Sequence, residues 1–363
     1  MSSPAGIEAF ILGFEGRAAP VEKAVKVAWW DLATTGTEAA QADLARAGME
    51  YNRLFEDGYE KVRGWYEERD ALESPLLRRQ VEVLYRTFDG RQGDEETLDR
   101  MEELEARANA IYGNHRGVVR DKAADENEIR EILRFSDDGS LRREAWDASK
   151  TVGREVEETV RELARLRNRL AREAGYPDHF HRSLDLQEID AAELGSILSE
   201  LESATEAPFT ELKKNLDAKL EERFGAGTVM PWHLSDPFFQ SCKYDPLPLP
   251  RQASRGGSRG ASGAGDEGLS LKRGSDTSIG SDADRYFRGK DLETLTRKTY
   301  DGMGLEVRDV LARSDLYERA GKDQHAFCIR IGREYPYDVR VLANVRSDSY
   351  WMDTMLHEFG HAV

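Results

Sequence analysis

Between Pro20 and about Phe224 the sequence has the periodicity of long amphipathic helices. Apolar residues recur at three- and four-residue spacing inside strongly charged stretches, as in LLRRQVEVLYRTF and VEETVRELARLRNRLAREAG. Residues that end helices interrupt this pattern at ESP (73–75), DGRQGD (89–94), SDDGS (136–140) and AGYPD (174–178). These breaks favour separate helices folded on one another over one continuous coiled coil. The pattern therefore predicts a mainly α, multi-helix fold.

The rest of the chain divides into two parts of different character. Residues 251–283 are rich in Gly, Ser and Arg and nearly free of large apolar residues. Burial of so few apolar groups cannot offset the entropy cost of ordering the chain, so this composition predicts a disordered insert. It separates a helical portion (1–250) from a region (284–363) that begins with a helix in DLETLTRKTYDGMG. HAFCIRIG and DVRVLANV, separated by REYPY, predict a small antiparallel β element near 325–345. A last helix is expected to start near Asp348 or Ser349, either of which could cap it.

Charge and hydropathy exclude several classes of partner. The net charge is −17, with 33% charged residues, which argues against nucleic acid and anionic membrane surfaces. The sequence contains no apolar run of membrane-spanning length and shows no signal peptide at its start, and its two cysteines do not form a disulfide framework. We therefore expect a cytoplasmic protein, of unspecified oligomeric state, with no nucleic-acid or membrane partner.

One motif carries specific chemistry. His357-Glu358-Phe359-Gly360-His361 has the H-E-x-x-H pattern, and residues four apart lie on one face of a helix. His357 and His361 can therefore bind one Zn²⁺ ion, while Glu358 is placed to act as general base on a water molecule. The alternative is a pair of ordinary helix histidines.

Four stretches together resemble a known group of zinc peptidases. WMDTMLHEFGHAV is similar to the active-site helix of the angiotensin-converting-enzyme-like peptidyl-dipeptidases and the related thimet oligopeptidase and oligopeptidase F group. VAWWDLATTGTEAA resembles an early helix of the peptidyl-dipeptidase branch. NRLAREAGYPDHFHRSL and KDQHAFCIRIG resemble a later helical segment and the strand beside the substrate cleft. The resemblance covers most of residues 20–250 and 284–363.

This resemblance implies a two-lobed helical fold with one zinc ion at the floor of a deep cleft that admits short peptides. It assigns His357 and His361 as zinc ligands, Glu358 as catalytic base, and His325 with Ala326 as substrate-binding residues on the cleft strand. Without the resemblance, His325 would be interpreted as an ordinary strand histidine. His115, His179, His181 and His233 are expected to have structural roles.

The third zinc ligand is the feature in which this sequence departs from the family. A catalytic zinc needs three protein ligands and an open position, and in the family the third is a Glu downstream of the motif, where this sequence has only Ala362 and Val363. We therefore expect a truncated or imperfectly assembled peptidase; an upstream carboxylate could substitute, but no spacing singles one out. Peptidyl-dipeptidase, oligopeptidase and carboxypeptidase activities all stay open. The rival interpretation is an inactive helical scaffold with a vestigial motif.

Overall fold

The computed structural model describes residues 3–225, 227–239 and 284–363. Thirteen α-helices and two two-stranded antiparallel sheets lie within these residues, so the prediction of a mainly α fold is confirmed. The helices are α1 (Pro4–Thr35), α2 (Glu38–Arg53), α3 (Tyr59–Glu67), α4 (Pro75–Asp89), α5 (Glu95–Asn114), α6 (Glu126–Phe135), α7 (Gly139–Lys150), α8 (Val152–Glu173), α9 (His179–Leu186), α10 (Ala191–Phe224), α11 (Leu292–Gly302), α12 (Arg308–Arg313) and α13 (Ser349–Gly360). The strands are β1 (Gly117–Val119), β2 (Lys122–Ala124), β3 (Phe327–Arg330) and β4 (Val339–Leu342).

Polar side chains fix where most helices begin. The Asp94 carboxylate accepts a hydrogen bond from the Thr97 backbone N–H and starts α5, and Asp125 forms a capping box with Glu128 at α6. The four predicted breaks lie at the start of α4, between α4 and α5, between α6 and α7, and between α8 and α9, whereas the end of α5, the start of α6 and the boundary between α7 and α8 were not predicted. The division into portions at 1–250 and 284–363 stays a prediction, and the expected insert at 251–283 lies outside the described residues.

The first helix begins earlier than the periodicity predicts. It starts at Pro4, where the Ser3 hydroxyl accepts from the Gly6 backbone N–H, and it runs through Pro20. A proline at the first helical position loses no helical hydrogen bond, so Ser3 and Pro4 form a regular start signal that the apolar spacing does not reveal. The helix ends at Thr35 and is capped by Gly36, whose φ of 60° is a left-handed conformation that glycine adopts without strain.

The N-terminal helices pack in succession. Helix α1 lies against α2, α2 against α5, and α5 against α8, which gives a layer in which each neighbour covers one apolar face of the last. Aromatic rings from α1, α3 and α4 fill a second core around Phe14, Phe55 and Phe88. No helix in the described parts of the chain combines the length and apolar character needed to cross a bilayer.

The β3–β4 hairpin confirms the predicted β element and lies between two helices. Its register pairs Phe327 with Leu342 and Arg330 with Val339. Alternate side chains point to opposite faces, so Phe327, Ile329 and Ile331 pack with Trp30 of α1, whereas Ala326, Cys328 and the β4 valines pack with α13. The Trp29 ring stacks on Phe327 with centroids 4.7 Å apart.

A second hairpin, β1–β2, was missed by the helical interpretation of this region. Its two-residue turn places both Arg120 and Asp121 at positive φ, 48° and 61°. Turns of this kind usually carry Asn-Gly or Asp-Gly, so the sequence offers no hairpin signal here.

Candidate metal centre

Helix α13 holds the H-E-x-x-H motif in a fixed position. The Asp348 carboxylate accepts from the Trp351 N–H and caps the helix, as the sequence predicts. Met355 and Phe359 are completely buried on its inner face. The Trp351 ring N–H donates to Asn127 Oδ1 of α6 at 2.8 Å, inside the core. Apolar burial and a buried hydrogen bond on the same inner face therefore fix the orientation of the helix and of the motif side chains.

The two motif histidines converge on one point. Their Nε2 atoms are 3.2 Å apart, and the ring planes are nearly perpendicular, at 89°. Two nitrogen ligands about 2.0–2.1 Å from a tetrahedral zinc ion lie roughly 3.3–3.4 Å from each other. Both side chains are exposed, so an ion can reach them. His357 and His361 therefore fit two corners of a zinc site; the same contact would be a hydrogen bond if one Nε2 carries a proton.

The helix that carries Glu358 packs against β3 of the hairpin. Glu358 is half-buried, and burial together with the negative charge of Glu358 raises the pKa of the Cys328 thiol to about 11. This places Glu358 close to the Cys328 side chain, where α13 contacts β3. The spacing of the motif predicts that Glu358 adjoins a ligand; its position beside Cys328 could not be predicted from it.

The outer edge of β3 is free of strand partners within the described residues. The Ile331 N–H donates to the Asp338 carbonyl at 2.8 Å, which makes these residues a hydrogen-bonded pair. Such pairs alternate along an antiparallel ladder, so the backbone groups of Cys328 and Arg330 point away from β4. This edge therefore presents donors and acceptors for another extended chain.

The structure places the two predicted substrate-binding residues just before this strand. Ala326 is half-buried against the α13 core, and His325 is exposed. The His325 backbone N–H already donates to Asp323 Oδ1 at 2.9 Å. Neither contact tests a role in substrate binding, and that role stays a prediction.

Among the residues that the structure describes, no cluster of three or more His, Cys, Asp or Glu side chains could hold a metal ion. His357 and His361 are thus a pair of potential metal ligands, and within the described residues no upstream carboxylate lies close enough to act as a third. The donor set fits two of the three protein positions of a catalytic zinc site.

Of the four remaining histidines, three have side-chain partners nearby, and His179 donates its backbone N–H to Asn168 Oδ1 at 2.9 Å. His115 contacts Glu155 through Nδ1 at 3.0 Å and Thr151 through Nε2 at 2.9 Å, and His181 contacts Asp178. His233 Nδ1 accepts from the Met230 N–H at 3.1 Å. These contacts tie helix ends and turns together, and the structural roles expected for these histidines stay a prediction.

Sequence reasoning missed one residue that supports the motif. The Tyr300 hydroxyl of α11 donates to the Leu356 carbonyl at 2.5 Å. A Cβ atom added at Gly360 would lie 3.3 Å from this hydroxyl, so glycine leaves the space that the tyrosine uses. Only the apolar spacing of α11 could have indicated that Tyr300 faces inward.

Comparison with known families decides the assignment. A family model described as angiotensin-converting enzyme matches residues 2–232. This chain belongs to the angiotensin-converting enzyme family of peptidases. The family is one of zinc metallopeptidases, and the predicted resemblance to it is confirmed. The matched stretch ends before β3 and α13, so the motif at 357–361 is an observation independent of the match. No curated protein matches the chain.

Proposed function

We propose that this member of the angiotensin-converting enzyme family is a zinc peptidase that hydrolyses short peptides. His357 and His361 would hold the ion and Glu358 would be the general base. The observation that supports the proposal is the 3.2 Å approach of the two Nε2 atoms on a helix that also carries Glu358 and packs against β3. A bound zinc ion would polarise the scissile carbonyl and lower the pKa of the attacking water.

The protein groups have separate tasks in this proposal. A carboxylate oxygen of Glu358 takes a proton from the attacking water and later delivers it to the leaving amine. The substrate adds as a strand to the outer edge of β3 next to His325 and Ala326, bonding the backbone groups of Cys328 and Arg330. Strand addition uses main-chain atoms, so it tolerates many peptide sequences. We propose short peptides in the cytoplasm as substrates, with neither nucleic acid nor membrane as partner.

Within the described residues the donor set is incomplete, and this limits the activity that we expect. Two imidazoles hold zinc less tightly than three protein ligands, because each lost ligand removes a coordinate bond and loosens the orientation of the others. We expect substoichiometric zinc after dialysis and slow turnover. Peptidyl-dipeptidase and oligopeptidase specificities both fit this site.

Glu358→Gln tests the proposed base. It should abolish hydrolysis of a short internally quenched peptide measured with excess zinc, because the amide cannot accept the proton. Asp353→Asn is the matched control, since Asp353 is exposed on the same helix. Unchanged hydrolysis by Glu358→Gln would rule out this mechanism, and wild-type protein without zinc-dependent hydrolysis would rule out the peptidase.

The alternative function, a helical scaffold with a vestigial motif, is not favoured by the family match. Zinc titration by calorimetry distinguishes the two. In the peptidase interpretation His357→Ala weakens zinc binding by roughly tenfold or more, because one of two converging ligands is lost. His325→Ala, which removes an exposed histidine outside the pair, should leave zinc binding unchanged. A scaffold would show no difference between wild type and His357→Ala.

A further inference from the structure

Helix α10 projects a long exposed segment from the body of the protein. Every residue from 195 to 211 is exposed, a length of about 25 Å at the helical rise of about 1.5 Å per residue. At the C-terminal end of the same helix, Leu216 and Leu220 are buried. One helix therefore has a covered part and an uncovered part.

A single apolar stripe runs through both parts. In the uncovered part it contains Ile197, Leu198, Leu201 and Phe209, which are 47%, 56%, 54% and 61% exposed. These positions follow the three- and four-residue spacing of one helical face, and the spacing continues through Leu212 to Leu216 and Leu220. At the C-terminal end of α10, where other parts of the protein pack against the helix, the residues that they bury belong to this stripe. Its exposed part has the character of a contact surface.

The residues flanking the stripe have a single sign of charge. Projection at about 100° per residue places Glu193, Glu200 and Glu211 on one flank and Glu202 and Glu206 on the other. No Lys, Arg or His occurs from Ala191 to Leu212. The far face carries small residues, including Ser199 and Ser203.

These flanks decide which occupant fits. A second copy of the chain, pairing through the exposed half of α10, would bring glutamates against glutamates, which is unfavourable. An anionic membrane is repelled for the same reason. A helix with an apolar stripe between rows of Lys or Arg complements both the stripe and its flanks, as in coiled-coil pairing.

We propose that residues 195–211 of α10 form a docking surface for a basic amphipathic helix. The apolar stripe supplies the contact area, and the glutamate rows select the charge of the partner. This surface is independent of the zinc site and of the proposed peptidase activity.

Two synthetic helical peptides test the proposal against the full chain. Both carry leucines at alternating three- and four-residue spacing; one has lysine flanks and the other has glutamate flanks. Fluorescence anisotropy should show saturable binding of the lysine peptide and at least tenfold weaker binding of the glutamate peptide. Absence of lysine-peptide binding would overturn the proposal.

Variants of α10 distinguish docking of the lysine peptide on the apolar stripe from general electrostatic attraction to an acidic protein. Ile197→Ser with Leu201→Ser should weaken lysine-peptide binding at least tenfold, whereas Ser199→Ala with Ser203→Ala on the far face should not. Glu200→Lys with Glu202→Lys should shift preference towards the glutamate peptide. All these positions are exposed, and circular dichroism verifies that helix content is kept.

Two further outcomes would also overturn the proposal. Equal lysine-peptide binding by wild type and the Ile197→Ser, Leu201→Ser variant would mean attraction to net charge alone. A concentration-dependent dimer in sedimentation that this variant abolishes would mean that a second copy covers the stripe.

Discussion

Single side chains explain how a short motif becomes a candidate metal site. The 3.2 Å separation of His357 and His361 Nε2 follows from helical spacing, because side chains four apart are neighbours on one face. The environment of Glu358 has a different origin. It depends on Cys328, which is thirty residues away in the sequence and is brought there by the hairpin.

The proximity of Glu358 and Cys328 makes a chemical prediction. Burial and the Glu358 charge together raise the pKa of Cys328 to about 11, so little thiolate forms at pH 8. Glu358→Gln removes the charge but leaves the burial, so the pKa should fall part of the way to its usual value. Alkylation by iodoacetamide in zinc-free buffer should then speed up, by about twofold or more at pH 8.

This measurement is made in a Cys242→Ser background, so that Cys328 is the one thiol that reacts. Asp353→Asn, a charge removal on the same helix, is the control and should not change the rate. Equal rates for wild type and Glu358→Gln would show that the carboxylate does not lie near the thiol.

Among the secondary-structure elements, α13 depends most on its surroundings. Its twelve residues are too few for a stable isolated helix. Its stability comes from Met355 and Phe359 in the core, the Asp348 cap and the Tyr300 hydrogen bond. The two motif histidines are therefore only as well positioned as this packing allows.

Phe359→Ala tests that dependence. Removing a fully buried phenylalanine should lower the free energy of unfolding by about 3–5 kcal/mol, because transfer and cavity costs add. Urea unfolding followed by circular dichroism measures the change. Phe180→Ala, which truncates an exposed phenylalanine, should cost far less. Similar losses for the two variants would contradict the burial of α13.

Across the whole molecule, the segment that the family model matches and the segment that carries the motif share buried contacts. Asn127 of α6 accepts from the Trp351 ring N–H and donates from Nδ2 to the Asn344 carbonyl at 2.9 Å. Arg346 pairs with Asp125 at 2.9 Å, and Trp29 stacks on Phe327. We therefore expect the described regions to unfold together.

Asn127→Ala should weaken the contacts between the segment that the family model matches and the segment that carries the motif. It leaves a buried indole N–H and a buried carbonyl without these partners, which should cost about 2–4 kcal/mol of unfolding free energy. Asn109→Ala is the control, because Asn109 is exposed and its side chain bonds only within its own helix. In wild type, far-ultraviolet and near-ultraviolet circular dichroism should give one urea midpoint; separate midpoints would show that the two segments unfold independently.

The amino-acid sequence alone determined the mainly α class, several of the helix boundaries and the helical spacing of the motif histidines. Those features depend on neighbouring residues, because Asp94 and Asp125 cap helices within three residues and the two motif histidines are one helical turn apart. Even so, the predicted start of the first helix, at Pro20, lies after its observed start at Pro4. The β1–β2 hairpin was not predicted, because Arg120 and Asp121 are not the usual residues of a tight hairpin turn.

Only the tertiary structure decided the position of Glu358 beside Cys328, the Tyr300 support beneath Leu356 and the covered and uncovered parts of the α10 stripe. These features join residues that are distant in the chain or depend on which neighbours reach a helix. An apolar stripe has the same spacing whether or not another element covers it. Periodicity therefore identifies a packing surface, and the fold determines what packs there.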